Sequence, residues 1–196
     1  SLGNALIIAG CYGMGGASVL ATKACLRAGA GKVTAHTPKQ NNLIMQVSVP
    51  EAIIQLDRDE TIFSEAVEAE DYNAIGIGPG HGTNEQTAIA MITQIRRSQC
   101  PVVVDADAIN ILANHRAWMQ QVPKGVILTL HPKELERLEG HSTDSYEQLT
   151  NSCRMFRDFP PYVDKRTEYL HGQGCHEDGS HEMGHVETFH NIDAGE

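Results

Sequence analysis

The sequence predicts an α/β fold built on a mostly parallel sheet covered by helices on both faces. Short apolar runs alternate with segments of helical periodicity through the first 150 of 196 residues, the signature of repeated βαβ units. Four of the apolar runs end in a polar or glycine-rich turn. Strands of an open parallel sheet end this way at the edge where ligands bind. At about 150 residues per domain, the length fits one domain, 1–158, with an appended tail, 159–196.

Ala5 to Gly10 reads as a buried strand. A helix follows from about Gly16, because Ala17, Leu20, Ala21 and Ala24 recur at helical spacing, and it ends near Gly29 and Gly31, where glycine suits a C-cap. Lys32 to Thr37 and Ala74 to Gly78 are the next strands. Asn84 then caps a helix whose inner face is Ala88, Met91, Ile92 and Ile95. Pro101 to Asp105 is a strand opened by proline and carried by three valines. Gly125 to Thr129 is followed at once by His131-Pro132, with proline at the first helical position and Glu134 in the first turn. A last helix starts at Asp144, with a capping box to Glu147 and an inner stripe of Tyr146, Leu149, Cys153 and Phe156.

The periodicity stops near Phe159. Residues 171–196 carry too little apolar surface to offset the entropy of ordering, and are expected to be disordered or ordered only by a partner. The net charge of −10 is concentrated there: the tail beyond Arg166 contributes −7 and has no Lys or Arg. Such a balance disfavours a polyanion-binding surface, so no nucleic-acid partner is expected. No apolar run reaches the 18 residues a membrane helix needs and no leader is seen, so a cytoplasmic protein without a membrane partner is expected. Five scattered cysteines without a CxxC pair fit reduced thiols.

The four turns are where chemistry would sit. Glycines 10, 13, 15 and 16 allow close approach to backbone N–H groups at a helix start, a place for an anion or polarised oxygen, although a tight packing turn explains them equally well. The motif is not a Rossmann fingerprint, since Ser18 stands at its last position. Gly78 to Gly82 offers bare backbone. Asp105 and Asp107 could hold magnesium or a hydroxyl, or cap the next helix. His131 could meet a substrate near neutral pH or serve the turn alone. Cys11 reads as a small packing residue. In the tail, His171, His176, His181, His185 and His190 are not spaced as a structural zinc site, and no metal site is assigned.

Together the turns resemble the ADP-dependent NAD(P)H-hydrate dehydratase family. The matching stretches are Gly13 to Gly31, Gly76 to Gly82, Pro101 to Leu112 and Ile127 to Leu138, in the family's order and spacing. The resemblance implies a three-layer α/β/α ribokinase-like fold whose C-terminal part is incomplete in this chain. It implies ADP (or ATP) and Mg2+ as cofactors and hydrated NADH or NADPH as the small-molecule substrate. The ring hydroxyl would be phosphorylated and phosphate would then leave. Ala17, Gly82 and His131 would contact substrate. Gly13, Gly16, Gly80, Asp105, Asp107, Asn110 and Glu134 would shape the pocket.

The family's Gly-Ser-Gly-Asp turn, whose aspartate faces the reacting hydroxyl, has only Gly179-Ser180-His181-Glu182 as a superficial counterpart. No catalytic residue is therefore assigned. Two alternatives stay open: a non-catalytic nucleotide- or partner-binding protein, and a sugar or vitamin kinase on the same fold. Loss of the family's last strands would expose a sheet edge that invites pairing with another chain, so a homo-oligomer is the expectation.

Overall fold

The computed structural model describes residues 3–123, 126–140, 162–164 and 169–171. Strands β1 (Asn4–Ile8), β2 (Lys32–Thr37), β3 (Ile53–Leu56), β4 (Ala74–Ile77), β5 (Val102–Asp105), β6 (Val126–Leu130), β7 (Tyr162–Asp164) and β8 (Tyr169–His171) form one sheet in the order β3-β2-β1-β4-β5-β6-β7-β8. Every neighbouring pair is parallel except β7 and β8. The chain leaves β1 towards β2 and β3, then returns to β4 on the other side of β1. The order therefore reverses between β1 and β4, and the carboxyl ends of those strands open a crevice.

Helices α1 (Gly15–Arg27), α2 (Asn42–Ser48), α3 (Glu85–Arg97), α4 (Asp107–Asn114) and α5 (Pro132–Glu139) link the strands. Helix α3 is held as the sequence predicts. The Asn84 side chain accepts from Thr87 N at 2.9 Å, Glu85 stands in the first turn and Arg96 and Arg97 in the last, matching the helix dipole. Its Ala88, Met91, Ile92 and Ile95 are buried against Leu6, Ile8, Ile75, Ile77 and Val104 of the sheet, in a core that also takes Ile109 and Leu112 of α4 and Leu135 and Leu138 of α5. A smaller core on the other face joins Ala35 of β2 to Met45 and Val49, with Val19 and Leu26 of α1 packed on it. Two helical layers thus flank the sheet.

Helix α1 forms where expected but turns a different face inward. Gly15, Ser18 and Thr22 are buried, while Leu20 of the predicted stripe is 72% exposed. The helix lies close enough to β1 that its contact face is small and hydroxylic, so apolar periodicity pointed to the wrong side. A 3-10 turn at Lys39–Asn41, helix α2 and the edge strand β3 add to the elements that the sequence predicts.

Past Phe159, where the pattern fades, the chain still adds β7, parallel to β6, and β8, antiparallel to β7. Three-residue strands carry no periodic signal; backbone pairing defines them. The helix expected from Asp144 and the tail histidines other than His171 lie outside the described residues.

Candidate active site

Two glycine turns meet at the β1/β4 switch point. Gly10 N donates to Pro79 O at 2.8 Å and Gly78 N to Ile8 O at 3.1 Å, joining the two turns directly. Such contact needs glycine at particular points. Gly78 has φ +129°, and a β-carbon there would overlap the carbonyl oxygen of Asp105. A β-carbon on Gly80, φ +61°, would lie 2.6 Å from the Ala17 methyl. The turn after β4 is thereby pressed against both the start of α1 and the end of β5.

The third turn is tied in by a side chain. Gly82 N donates to Asp107 Oδ2 at 3.0 Å, and Asn110 Nδ2 reaches Asp107 Oδ1 at 3.5 Å. Between the two aspartates Ala106 has φ +49° and ψ −119°, the sole left-handed non-glycine among the described residues. An alanine there costs on the order of 1–3 kcal/mol and persists only if its surroundings fix it. The β5–β6 pairing of Asp105 with Thr129 holds one side and the Gly82–Asp107 bond holds the other.

Beneath the first turn runs a buried polar chain. Ser18 Oγ donates to Ala9 O, Thr37 Oγ1 lies 3.1 Å from Ser18 Oγ, and Asn41 Nδ2 donates to Thr37 Oγ1 at 2.8 Å. Ser18 has one proton and spends it on the carbonyl, so Thr37 donates to Ser18. The direction is fixed from Asn41 to Ala9, and Gly15 is needed because a β-carbon would sit 2.9 Å from Asn41 Oδ1.

A second buried group lies behind the glycine turns. His36 Nε2 pairs with Asp57 Oδ2 at 3.0 Å, and Ser64 hydrogen-bonds both carboxylate oxygens. These bonds outweigh the cost of burial and hold the Asp57 carboxyl down at about 2. Phe63 meets His36 edge-on at 5.6 Å and stacks on His81 at 6.1 Å. His81 is wholly buried, and burial lowers its pKa to about 4. Its Nδ1 faces Gly82 O at 2.8 Å, so the neutral ring carries its proton there. Tyr12 N donates to Thr61 O at 2.7 Å, bringing the 57–64 loop against the first turn.

Ala17, Gly80, Gly82, Asp105, Asp107 and Asn110 thus come together. Gly13 and Gly16 face open space at the start of α1. His131 leaves the same sheet edge from β6, three strand spacings from β1, or about 14 Å. It is the N-cap of α5: Nδ1 accepts from Lys133 N at 3.4 Å, and Glu134 Oε2 accepts from His131 N at 2.7 Å. With Nδ1 accepting, the neutral ring carries its proton on Nε2, and the residue is exposed at the carboxyl end of β6. Glu134 works through the cap. Burial first, and the Asp107 carboxylate second, push the Cys11 thiol up, so it is a poor nucleophile near neutral pH.

The described residues assemble no group of three His, Cys, Asp or Glu able to hold a metal, and Asp107 spends its oxygens on Gly82 and Asn110. Sequence reasoning passed over Asp57, Phe63, Thr37 and Arg137. The doublet Asp57-Arg58-Asp59 after a strand is the one signal that could have marked the loop.

A mostly parallel sheet with helices on both faces, opened at its switch point by glycine turns, is a doubly wound α/β fold. A ribokinase-like superfamily protein from Enterococcus faecalis superposes with a TM-score of 0.70 over 84% of this chain and 57% of its own, at 24% identity, which speaks to fold alone. The chain belongs to the NAD(P)H-hydrate dehydratase family, whose model matches residues 5–163. It is 34% identical over 160 residues to the ADP-dependent (S)-NAD(P)H-hydrate dehydratase of Streptococcus thermophilus, covering 81% of this chain and 56% of that protein. The ADP/ATP-dependent NAD(P)H-hydrate dehydratase of Bacillus subtilis, co-crystallized with ATP/Mg2+ and soaked with CoA, superposes with a TM-score of 0.67 at 26% identity over 91% of this chain and 63% of its own. The chain spans about half the length of the single-function curated relatives it matches.

Proposed function

We propose that the chain takes part in NAD(P)H-hydrate repair, its cleft receiving hydrated NADH or NADPH. The observation that carries this reading is the meeting of three turns from β1, β4 and β5 at the switch point through the Gly10–Pro79 and Gly82–Asp107 hydrogen bonds. In the balanced reaction, ADP (or ATP) transfers its terminal phosphoryl group to the ring hydroxyl, releasing AMP (or ADP) and the hydroxyl proton, and phosphate then leaves as the neighbouring ring carbon gives up a proton, restoring the dihydronicotinamide. Phosphate is a far better leaving group than hydroxide, so positioning is most of what a protein must supply.

Ala17 and Gly82 let the dinucleotide lie against backbone, and the open space over Gly13 and Gly16 leaves room for its phosphates at the positive end of α1. His131 offers Nε2–H to a substrate oxygen. Gly80, Asp105, Asp107, Asn110 and Glu134 hold the turns in place. Mg2+ would arrive on the nucleotide phosphates, where it keeps most of its water.

The test is ADP-dependent recovery of NADH absorbance from its hydrate, together with calorimetry of NADPH. Binding of NADPH at the cleft supports the reading. Absence of both binding and turnover rejects it.

A cytoplasmic protein without nucleic-acid or membrane partners completes the proposal; no helix among the described residues is long and apolar enough to cross a membrane. Self-association is expected along β3, where Ile53 and Leu56 are exposed beside Leu43 and Val47 of α2. Light scattering at the monomer mass would contradict it.

A further inference from the structure

We infer that Arg137, in the last turn of α5, is a positioning residue for the Gly78–Gly82 turn, acting through Asn110 and Asp107. The inference rests on the proposed use of that turn by substrate, but its first test needs no ligand.

Arg137 Nη1 donates to Asn110 Oδ1 at 2.5 Å. That bond fixes which end of the amide is oxygen, and so turns Nδ2 towards Asp107 Oδ1 at 3.5 Å. Asp107 Oδ2 then accepts from Gly82 N at 3.0 Å. The four groups form a directed chain from a cation on α5, through α4, to a backbone N–H of the turn after β4. A charged donor at the far end polarises the bonds along it.

Arg137 is itself placed from α4's side. Arg116, just past α4, donates from Nη2 to the Arg137 carbonyl at 3.2 Å, clamping the end of α5 to the end of α4. The relay has a physical task. Ala106 sits in a left-handed conformation beside Asp107, and such a turn stays put only when its flanks are over-determined. Without the guanidinium, the Asn110 amide is free to rotate, Asp107 loses its second partner, and the Gly82 amide opens to water more often.

The experiment compares the full chain with Arg137→Met and Arg137→Lys. Amide exchange at Gly82 should quicken about tenfold in Arg137→Met, the loss expected for a charge-assisted hydrogen bond. It should return most of the way in Arg137→Lys, whose ammonium still reaches Asn110 Oδ1. NADPH binding should weaken about fivefold in parallel. Unchanged Gly82 exchange in Arg137→Met overturns the inference. Equal acceleration in both variants also overturns it, because that outcome marks a packing role for the Arg137 stem. If wild-type chain shows neither NADPH binding nor ADP-dependent turnover while Gly82 exchange behaves as stated, the proposed function fails and the relay stands.

Discussion

The α-carbon of Gly78 rests against the carbonyl oxygen of Asp105, with no room for a β-carbon between them. This contact brings the turn after β4 onto the turn after β5, and it fixes the width of the crevice on that side. Ala108 closes the same space, 2.9 Å from where a Gly78 β-carbon would stand. Replacing Gly78 with alanine adds an atom where backbone already lies, in a conformation that L-residues avoid. Loss of at least about 3 kcal/mol is expected, read as a fall in the urea midpoint. Gly13→Ala, also at a positive φ (+82°) but with open space around it, should lose only about 1–2 kcal/mol. Equal losses in the two variants would remove the steric argument.

Ala106→Gly should separate stability from binding. Glycine adopts the left-handed conformation without strain, so stability should rise, by up to about 1 kcal/mol after the added chain entropy. The same freedom should loosen Asp107 and weaken NADPH binding. Thermal unfolding and calorimetry on one preparation check both halves.

Thr37→Val should cost about 2 kcal/mol. It removes the group that accepts from Asn41 and donates to Ser18, leaving Asn41 Nδ2 buried without its acceptor. Thr37→Ser keeps the hydroxyl and should recover most of that loss. Denaturant titration of the two variants distinguishes the hydrogen-bond relay from simple packing.

Stability should fall as pH drops from neutral. His81 has its folded pKa depressed to about 4 by burial, below the ordinary 6.5, so the unfolded chain binds the proton first; the stability is full above about 6.5 and is lost as pH falls towards 4. The size is on the order of 3 kcal/mol. Asp57, held at about 2, adds a second loss at lower pH, starting below about 4. His81→Leu should flatten the slope between 6.5 and 4 and leave the acid limb unchanged. Urea unfolding at pH 7, 5.5 and 4.5 measures it.

Strands β1, β2, β4, β5 and β6 and the turns after β1, β4, β5 and β6 are legible in sequence because local chemistry carries them. Val102 to Val104, Asn84 and His131-Pro132 each announce their own geometry, and the βαβ pattern puts the four turns on one sheet edge. Helix α1 was placed correctly and faced wrongly, since its buried side is made of Gly15, Ser18 and Thr22, whose role depends on Ala9 and Thr37 from other strands. The role of Asp57 is hidden for the same reason: its partners, His36 and Ser64, stand 21 and 7 residues away. Asp107 looked like a metal ligand or a helix cap, and it holds Gly82. Sequence shows which groups are present, and non-local pairing decides what each is spent on.

The most direct test of the cleft is to titrate NADPH into the chain and follow its backbone amide resonances. Shifts gathered on residues 10–17, 78–84, 105–110 and 131–134, and abolished by Gly82→Val, are the predicted result. Saturable shifts confined to the opposite edge of the sheet, or none at millimolar NADPH, would contradict it.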